Sequence, residues 1–289
     1  MSNQQALNSL VERYEISLFY VLAFVLSWLV WGSAVAQQRG LTTFSLPDMV
    51  AYFAVTLSAL LMAGLFEGRS GIRDLFSRMF RWRVGWHWYL IAVLLPIGLQ
   101  LLAAGVYRLF GGNVQMGRLA SISDSLHYFI VATPFMMLTE ELGWRGFALP
   151  RLQVKYRALT ASLVVGVLWG VWHSPLFLMP GTSWESFPYV GFVLSATAQS
   201  ILTSWVFNNT KGSVLLASIF HTATNGTGAY VAMGVGDVWA FWTFTAVQWI
   251  AVLVIVVLEG AENLSRRQSA NQPPVTPLAY HAHLNDSTA

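Results

Sequence analysis

Two adjacent glutamates, Glu140 and Glu141, lie inside an otherwise apolar stretch of the chain, with Arg145 four residues after the second. Later apolar stretches carry His173, and His221 with Asn225. A charged side chain at the centre of a membrane helix costs roughly 2.5–3.5 kcal/mol on insertion scales. These groups must therefore face a protein interior or a wet cavity rather than hydrocarbon. A carboxylate and two imidazoles meeting in such a place suit the activation of water. Glu140, His173 and His221 could also hold zinc, because two histidines and one glutamate with an open position form a catalytic ligand set. A proton relay or substrate-coordinating cluster in a transporter is the third use of such residues. The residue types alone leave all three open.

Helix geometry sorts the residues further. Glu141 and Arg145 share a face, the acid on the favourable N-terminal side, which predicts a structural ion pair. Glu140 is turned about 100° from Glu141, shares its face with Trp144 and is left aimed at the cavity. His221 and Asn225 are four apart, as are Trp169 and His173, so each pair can point the same way. His221 and the Asn225 amide would then be donors for a developing oxyanion. Measured from the predicted inner helix boundaries, Glu140 and His221 lie roughly 12–14 Å deep, but His173 lies roughly 20 Å deep. Tilt, or a later start of the fifth helix, would have to close that gap.

The elements that position these groups follow from composition. Of 289 residues, 55% are hydrophobic and only 10% are charged. Soluble domains carry about a quarter charged residues, so this chain cannot cover a water-facing surface. Mean hydropathy is +0.55. Runs long enough to span a bilayer occur at Ser17–Ala36, Pro47–Phe66, Trp86–Phe110, Leu126–Leu149, Thr160–Met179, Phe187–Phe207, Ser213–Met233 and Val238–Glu259. The expectation is an all-α polytopic membrane protein of about eight helices, with the site between helices four, five and seven. Residues 1–15 form a polar segment without a cleavable signal pattern, 16–262 the membrane domain, and 263–289 a disordered cytoplasmic tail with Pro273, Pro274 and Pro277. With the N-terminus inside, Arg13, Arg69, Arg73, Arg78, Arg81, Arg83, Arg151, Lys155, Arg157, Lys211, Arg266 and Arg267 are cytoplasmic, against Arg39, Arg108 and Arg118 opposite. That bias puts both termini inside and suits a bacterial cytoplasmic membrane. The stretch Gly71–Trp86, mixing Arg with Phe, Leu, Met and Trp, predicts an amphipathic helix on the inner membrane surface. The net charge of +3 reports these loops, and nucleic acid is not an expected partner.

The order of three patterns narrows the chemistry: EELGWR at Glu140–Arg145, WGVWH at Trp169–His173 and HTATN at His221–Asn225. Together they resemble the CPBP family of intramembrane proteases, which includes CAAX prenyl endopeptidases and bacteriocin-processing enzymes. The resemblance runs from about Phe129 to Tyr230. It implies that Glu140 and His173 activate the hydrolytic water, that His221 and Asn225 stabilise the oxyanion, and that Glu141 and Arg145 support the site. Trp169 stands where the family usually has Phe and keeps an aromatic wall there. The resemblance further implies a glutamate-dependent reaction without a metal, on a hydrophobic or prenylated peptide within membrane lipid. A proton-coupled transporter, or an idle scaffold or immunity protein, is the competing expectation.

Other protease chemistries find less support. Gly234–Asp237 spells the GxGD of presenilin-type enzymes, but that chemistry needs a second intramembrane Asp, and Asp48, Asp74, Asp124 and Asp286 fall at helix ends, in loops or in the tail. A tight turn between helices seven and eight is the expected role of Gly234–Asp237. No HExxH occurs, which removes a zinc-ligand helix of that type. The GTSW at Gly181–Trp184 lacks the GxSxG of a serine nucleophile, and the chain has no cysteine.

Overall fold

A computed structural model describes residues 3–116, 122–233 and 237–266. Among these residues nine α-helices follow in order: α1 (Asn3–Gln38), α2 (Met49–Met79), α3 (Trp86–Leu109), α4 (Ile122–Met136), α5 (Leu149–Lys155), α6 (Ala158–Trp172), α7 (Tyr189–Asn209), α8 (Val214–Tyr230) and α9 (Val238–Glu259). Between α4 and α5 the chain runs as a π-helix over Met137–Ala148. Among the described residues, six helices are long and apolar enough to cross a membrane, by length and composition: Tyr14–Gln38, Met49–Met79, Trp86–Leu109, Ala158–Leu178, Tyr189–Asn209 and Val238–Glu259. The α4–π–α5 rod and α8 are outside that set, and they carry Glu140, Glu141, Arg145 and His221. The protein is an all-α polytopic integral membrane protein in its architecture. Its one sheet among the described residues is a two-stranded ribbon, Val114–Met116 (β1) antiparallel to Val231–Met233 (β2), with Gln115 opposite Ala232.

Small residues set how closely these rods approach. A Cβ on Gly166 would lie 2.7 Å from Thr197 Cα, and one on Gly170 would lie 2.9 Å from Val193 Cα. Gly166 and Gly170 thus form a GxxxG face that lets α6 lie backbone-to-backbone on α7, where van der Waals contact drives association without a hydrophobic effect. Ser200 Oγ donates to Ser162 O across the same contact, at 3.0 Å. Gly143 does the same for the π segment, where a Cβ would meet Val55 Cγ1 of α2 at 2.4 Å.

Two apolar clusters result. One joins α1, α2, the π segment and α6 through Phe19, Trp31, Val55, Trp144, Phe147 and Trp172. The other joins α3, α7, α8 and α9 through Trp88, Ile201, Phe220 and Val252. The polar residues singled out in the sequence sit where α8 meets the first cluster.

Several expectations are corrected at this level. The fourth run is not one α-helix, because its centre hydrogen-bonds i→i+5. Pro134 and Pro150 bracket that segment, and each lacks the N–H that an i→i−4 ladder needs. The seventh run stops at Tyr230 and becomes β2. In the stretch Gly71–Trp86 the expected helix covers only Gly71–Met79, set off from the first part of α2 by a break at Gly68, whose φ of 63° and ψ of −143° only glycine adopts freely. Gly71, Asp74, Leu75, Arg78 and Met79 form its buried face, while Phe76, Phe80 and Trp82 are exposed. Arg78 is held by Asp74 at 2.7 Å, so this cation faces protein rather than headgroups. Arg151 is likewise buried, paired with Glu15 at 2.8 Å and with Glu67, tying α1 and α2 to α5.

Of the expected tail, Asn263–Arg266 are described. Asn208 and Asn209 donate to the carbonyls of Asn263 and Leu264 at 2.9 and 2.8 Å, and the Leu264 side chain is buried. Residues 267–289, with Arg267 and the three prolines, lie outside the described residues, as do Arg118 and Gly234–Gly236 of the expected turn. Asp237 is described and caps α9, its carboxylate accepting from Trp239 N–H at 2.8 Å and from the Tyr107 hydroxyl.

Candidate active site

The π segment, α6 and α8 bring six of the seven predicted site residues into one connected network. Glu140, His173 and His221 are 4%, 6% and 3% exposed, and Glu141 and Arg145 are fully buried. Arg145 Nη1 donates to Glu141 Oε1 at 3.0 Å, which is the expected clamp. The same Glu141 oxygen accepts from His221 Nδ1 at 2.8 Å. Glu141 thereby joins the two apolar clusters, and its charge is matched by the guanidinium. The expected placement had His221 and Asn225 pointing together into the cavity, without this bond to Glu141.

Glu140 has a different environment. Its Oε2 accepts from Trp169 Nε1 at 2.5 Å, and among the described residues no cation pairs with it. A carboxylate in a membrane interior without a countercharge is costly, so it marks a functional position more than a structural one. Trp169 also governs His173: its backbone carbonyl lies 2.8 Å from His173 Nδ1. A carbonyl only accepts, so the proton sits on Nδ1, and Nε2 of the neutral ring is the free lone pair. The Trp169 ring additionally carries Arg145 Cζ at 4.8 Å from its centroid and meets the His221 ring edge-on at 5.1 Å. One tryptophan therefore touches Glu140, Arg145, His173 and His221.

His173 is not inside a helix but caps the end of α6, where the chain turns into a 3-10 helix at Ser174–Leu178. Rings surround it: Trp172 at 4.7 Å, Phe192 at 5.2 Å and Trp184 stacked at 5.5 Å between centroids. Trp28 Nε1 binds the Trp172 carbonyl at 2.9 Å and braces that wall from α1. The depth mismatch also resolves. Glu140 lies 15 residues before the end of α5, and His173 lies 15 residues after the start of α6. A two-residue turn joins those ends, so the two residues lie the same number of positions from it along their rods. The fourth rod runs on past Leu149 to Lys155, and that extension, rather than a later start of the fifth, closes the gap.

Asn225 is the residue the structure does not draw in. It lies one turn beyond His221 and is exposed, and its amide nitrogen is 3.9 Å from Met136 Sδ, a weak acceptor. Among the described residues, no three His, Asp or Glu side chains are gathered to share a metal ion. Nδ1 of both imidazoles is engaged by an oxygen, which leaves Nε2 of each as the nitrogen a zinc ion would take.

A helical membrane bundle with a buried glutamate–histidine–tryptophan network defines the class. The comparisons with known proteins agree with it. The sequence model described as "Type II CAAX prenyl endopeptidase Rce1-like" matches residues 122–227, a span holding all three motifs. The chain is similar to CAAX prenyl protease 2 of Methanococcus maripaludis, 26% identical over 230 residues that cover 74% of this chain and 83% of that protein. It is also similar to lysostaphin resistance protein A of Staphylococcus haemolyticus, 20% identical over 202 residues, 68% of this chain and 54% of that protein. These matches bear out the resemblance to the CPBP family.

Proposed function

We propose that the protein is an intramembrane endopeptidase of CAAX type that hydrolyses a peptide bond in a hydrophobic or prenylated substrate. The observation that carries this is the double engagement of Trp169, whose N–H holds Glu140 Oε2 while its carbonyl fixes the His173 tautomer. Glu140 Oε1 and His173 Nε2 are then the two free basic atoms. A water held between them gives a proton to Glu140 as its oxygen attacks the scissile carbonyl carbon. The oxyanion is met by His221 and, once substrate orders it, the Asn225 amide. For His221 to donate from Nε2 while Nδ1 serves Glu141, its ring must carry both protons, the charged form that suits an oxyanion. Collapse of the tetrahedral intermediate breaks the C–N bond, and the proton on Glu140 passes to the leaving amine. Glu141 and Arg145 hold His221 in place.

These steps use the protein's own groups and need no metal. The prenylated substrate class rests on the names of the matched family and of the archaeal relative. With Arg81, Arg83, Lys155, Arg157 and Lys211 at the inner helix ends, both termini lie in the cytoplasm.

The test is cleavage of a prenylated CAAX peptide by purified protein in lipid. Glu140→Gln and His173→Ala should each lower the rate by about a hundredfold or more while thermal unfolding is unchanged, and a strong chelator should leave wild-type cleavage intact. Full activity in either variant overturns the assignment. Loss of activity on chelation overturns the metal-free mechanism.

A further inference from the structure

A second site lies away from this network, at the inner ends of the helices. The α2–α3 turn and the α7–α8 turn are stitched by two hydrogen bonds. Arg81 Nη1 donates to Lys211 O at 2.7 Å, and Ser213 Oγ donates to Arg81 O at 2.7 Å. Between the turns is a pocket of about 520 Å³ lined by Phe80, Arg81, Trp82, Arg83, Val84 and Lys211. Three of these six carry positive charge and none is acidic. Asp74 answers Arg81 at 3.3 Å, but it is also the partner of Arg78 at 2.7 Å, so one carboxylate serves two guanidiniums and the lining keeps excess positive charge. The Arg83 guanidinium lies 5.1 Å over the Trp82 ring, and the Lys211 ammonium has no acceptor among the described residues.

The backbone at Lys211 points the same way. Its φ is +58°, followed by Gly212 at +73°. A side chain at positive φ is strained, and glycine is the residue that would relieve it. The conformation ends α7, with the Gly212 N–H donating back to Phe207 O at 2.9 Å, and it fixes where Lys211 stands at the mouth of the pocket. The surroundings indicate what the charge meets. Phe80, Trp82 and Trp86 are 71%, 57% and 74% exposed, at the junction of two spanning helices, which is where aromatic side chains sit at headgroup level.

We propose that this pocket binds the phosphate of an anionic phospholipid headgroup at the inner membrane face. Arg83 and Lys211 donate to the phosphate oxygens, Arg81 adds charge while holding the two turns together, and Phe80 and Trp82 lie against the upper acyl chains. Basic pockets between helix ends on the cytoplasmic side are suited to such headgroups. The site is independent of the peptidase assignment.

The experiment uses the full chain in neutral detergent and follows thermal unfolding as short-chain phosphatidylglycerol, phosphatidylcholine or inorganic phosphate is added. Phosphatidylglycerol should raise the wild-type midpoint well above the other two, and added salt should weaken the effect. Lys211→Gly should unfold at the same or a higher temperature in phosphatidylcholine, because strain is relieved, yet bind phosphatidylglycerol about fivefold more weakly. Arg83→Gln, which leaves both stitching bonds intact, should weaken it by about the same factor, and the double variant by about 25-fold. Unchanged phosphatidylglycerol binding in Arg83→Gln and in the double variant overturns the proposal. An equal midpoint rise with inorganic phosphate overturns the lipid as the ligand.

Discussion

Trp169 shows how much one side chain can decide. A phenylalanine there would keep the aromatic wall but could not donate to Glu140. A hydrogen bond to a charged group contributes about 1.5–3 kcal/mol. Trp169→Phe should therefore lower cleavage by about tenfold or more while the unfolding temperature moves little, since the ring volume is largely kept. Arg145 and Glu141 behave differently. Removing one member of a buried ion pair strands the other charge and costs about 3–5 kcal/mol. Arg145→Met should thus unfold far more readily in detergent, and Glu141→Gln added to it should restore part of the loss.

These residues differ in how far the sequence alone announced them. The Glu141–Arg145 pair is an i,i+4 spacing that can be read without a structure, and the structure contains it. The bond from His221 to Glu141 joins positions 80 apart, and no local pattern encodes it. The indole N–H of Trp169 was visible as a letter, but its acceptor depends on how α6 is rotated. The tryptophan and phenylalanine rings around His173 come from separate segments, so only the fold assembles them.

At the level of elements, hydropathy made the spanning rods legible because lipid demands long apolar helices. It could not show the π segment, since Glu141 and Arg145 meet in either helix type and proline effects are not written in hydropathy. Nor could it show β1 and β2, three residues each, shorter than any alternation pattern can establish. The packing faces are more legible once small residues are counted. Gly166→Leu would drive a side chain into Thr197 and Ser200, and overpacking of this kind costs about 1–3 kcal/mol. The expected result is a clear fall in unfolding temperature, while Gly98→Ala, with nothing within 4 Å of the new Cβ, should be neutral.

Across the whole molecule, Asp237 ties α9 to α3 through the Tyr107 hydroxyl. That hydrogen bond, helped by the backbone N–H of Trp239, holds the Asp237 carboxyl below its ordinary range. A carboxyl depressed on folding contributes stability above its unfolded value, near pH 4, and loses it as pH falls through the folded value. Asp237→Asn should accordingly lose that contribution at neutral pH and flatten the acid limb of a stability-versus-pH curve, the two proteins converging as the pH falls. At the opposite end, Arg151 gathers α1, α2 and α5, so the two ends of the bundle are closed by different chemistry. The two apolar clusters were not foreseeable from the sequence, because hydropathy scores each rod separately and does not say which rods share a core.

The bond between His221 and Glu141 crosses from one cluster to the other. Both of its ends are buried, so any change that slides the two clusters apart also unhooks the imidazole. The packing of the bundle and the readiness of the site are in this sense one property.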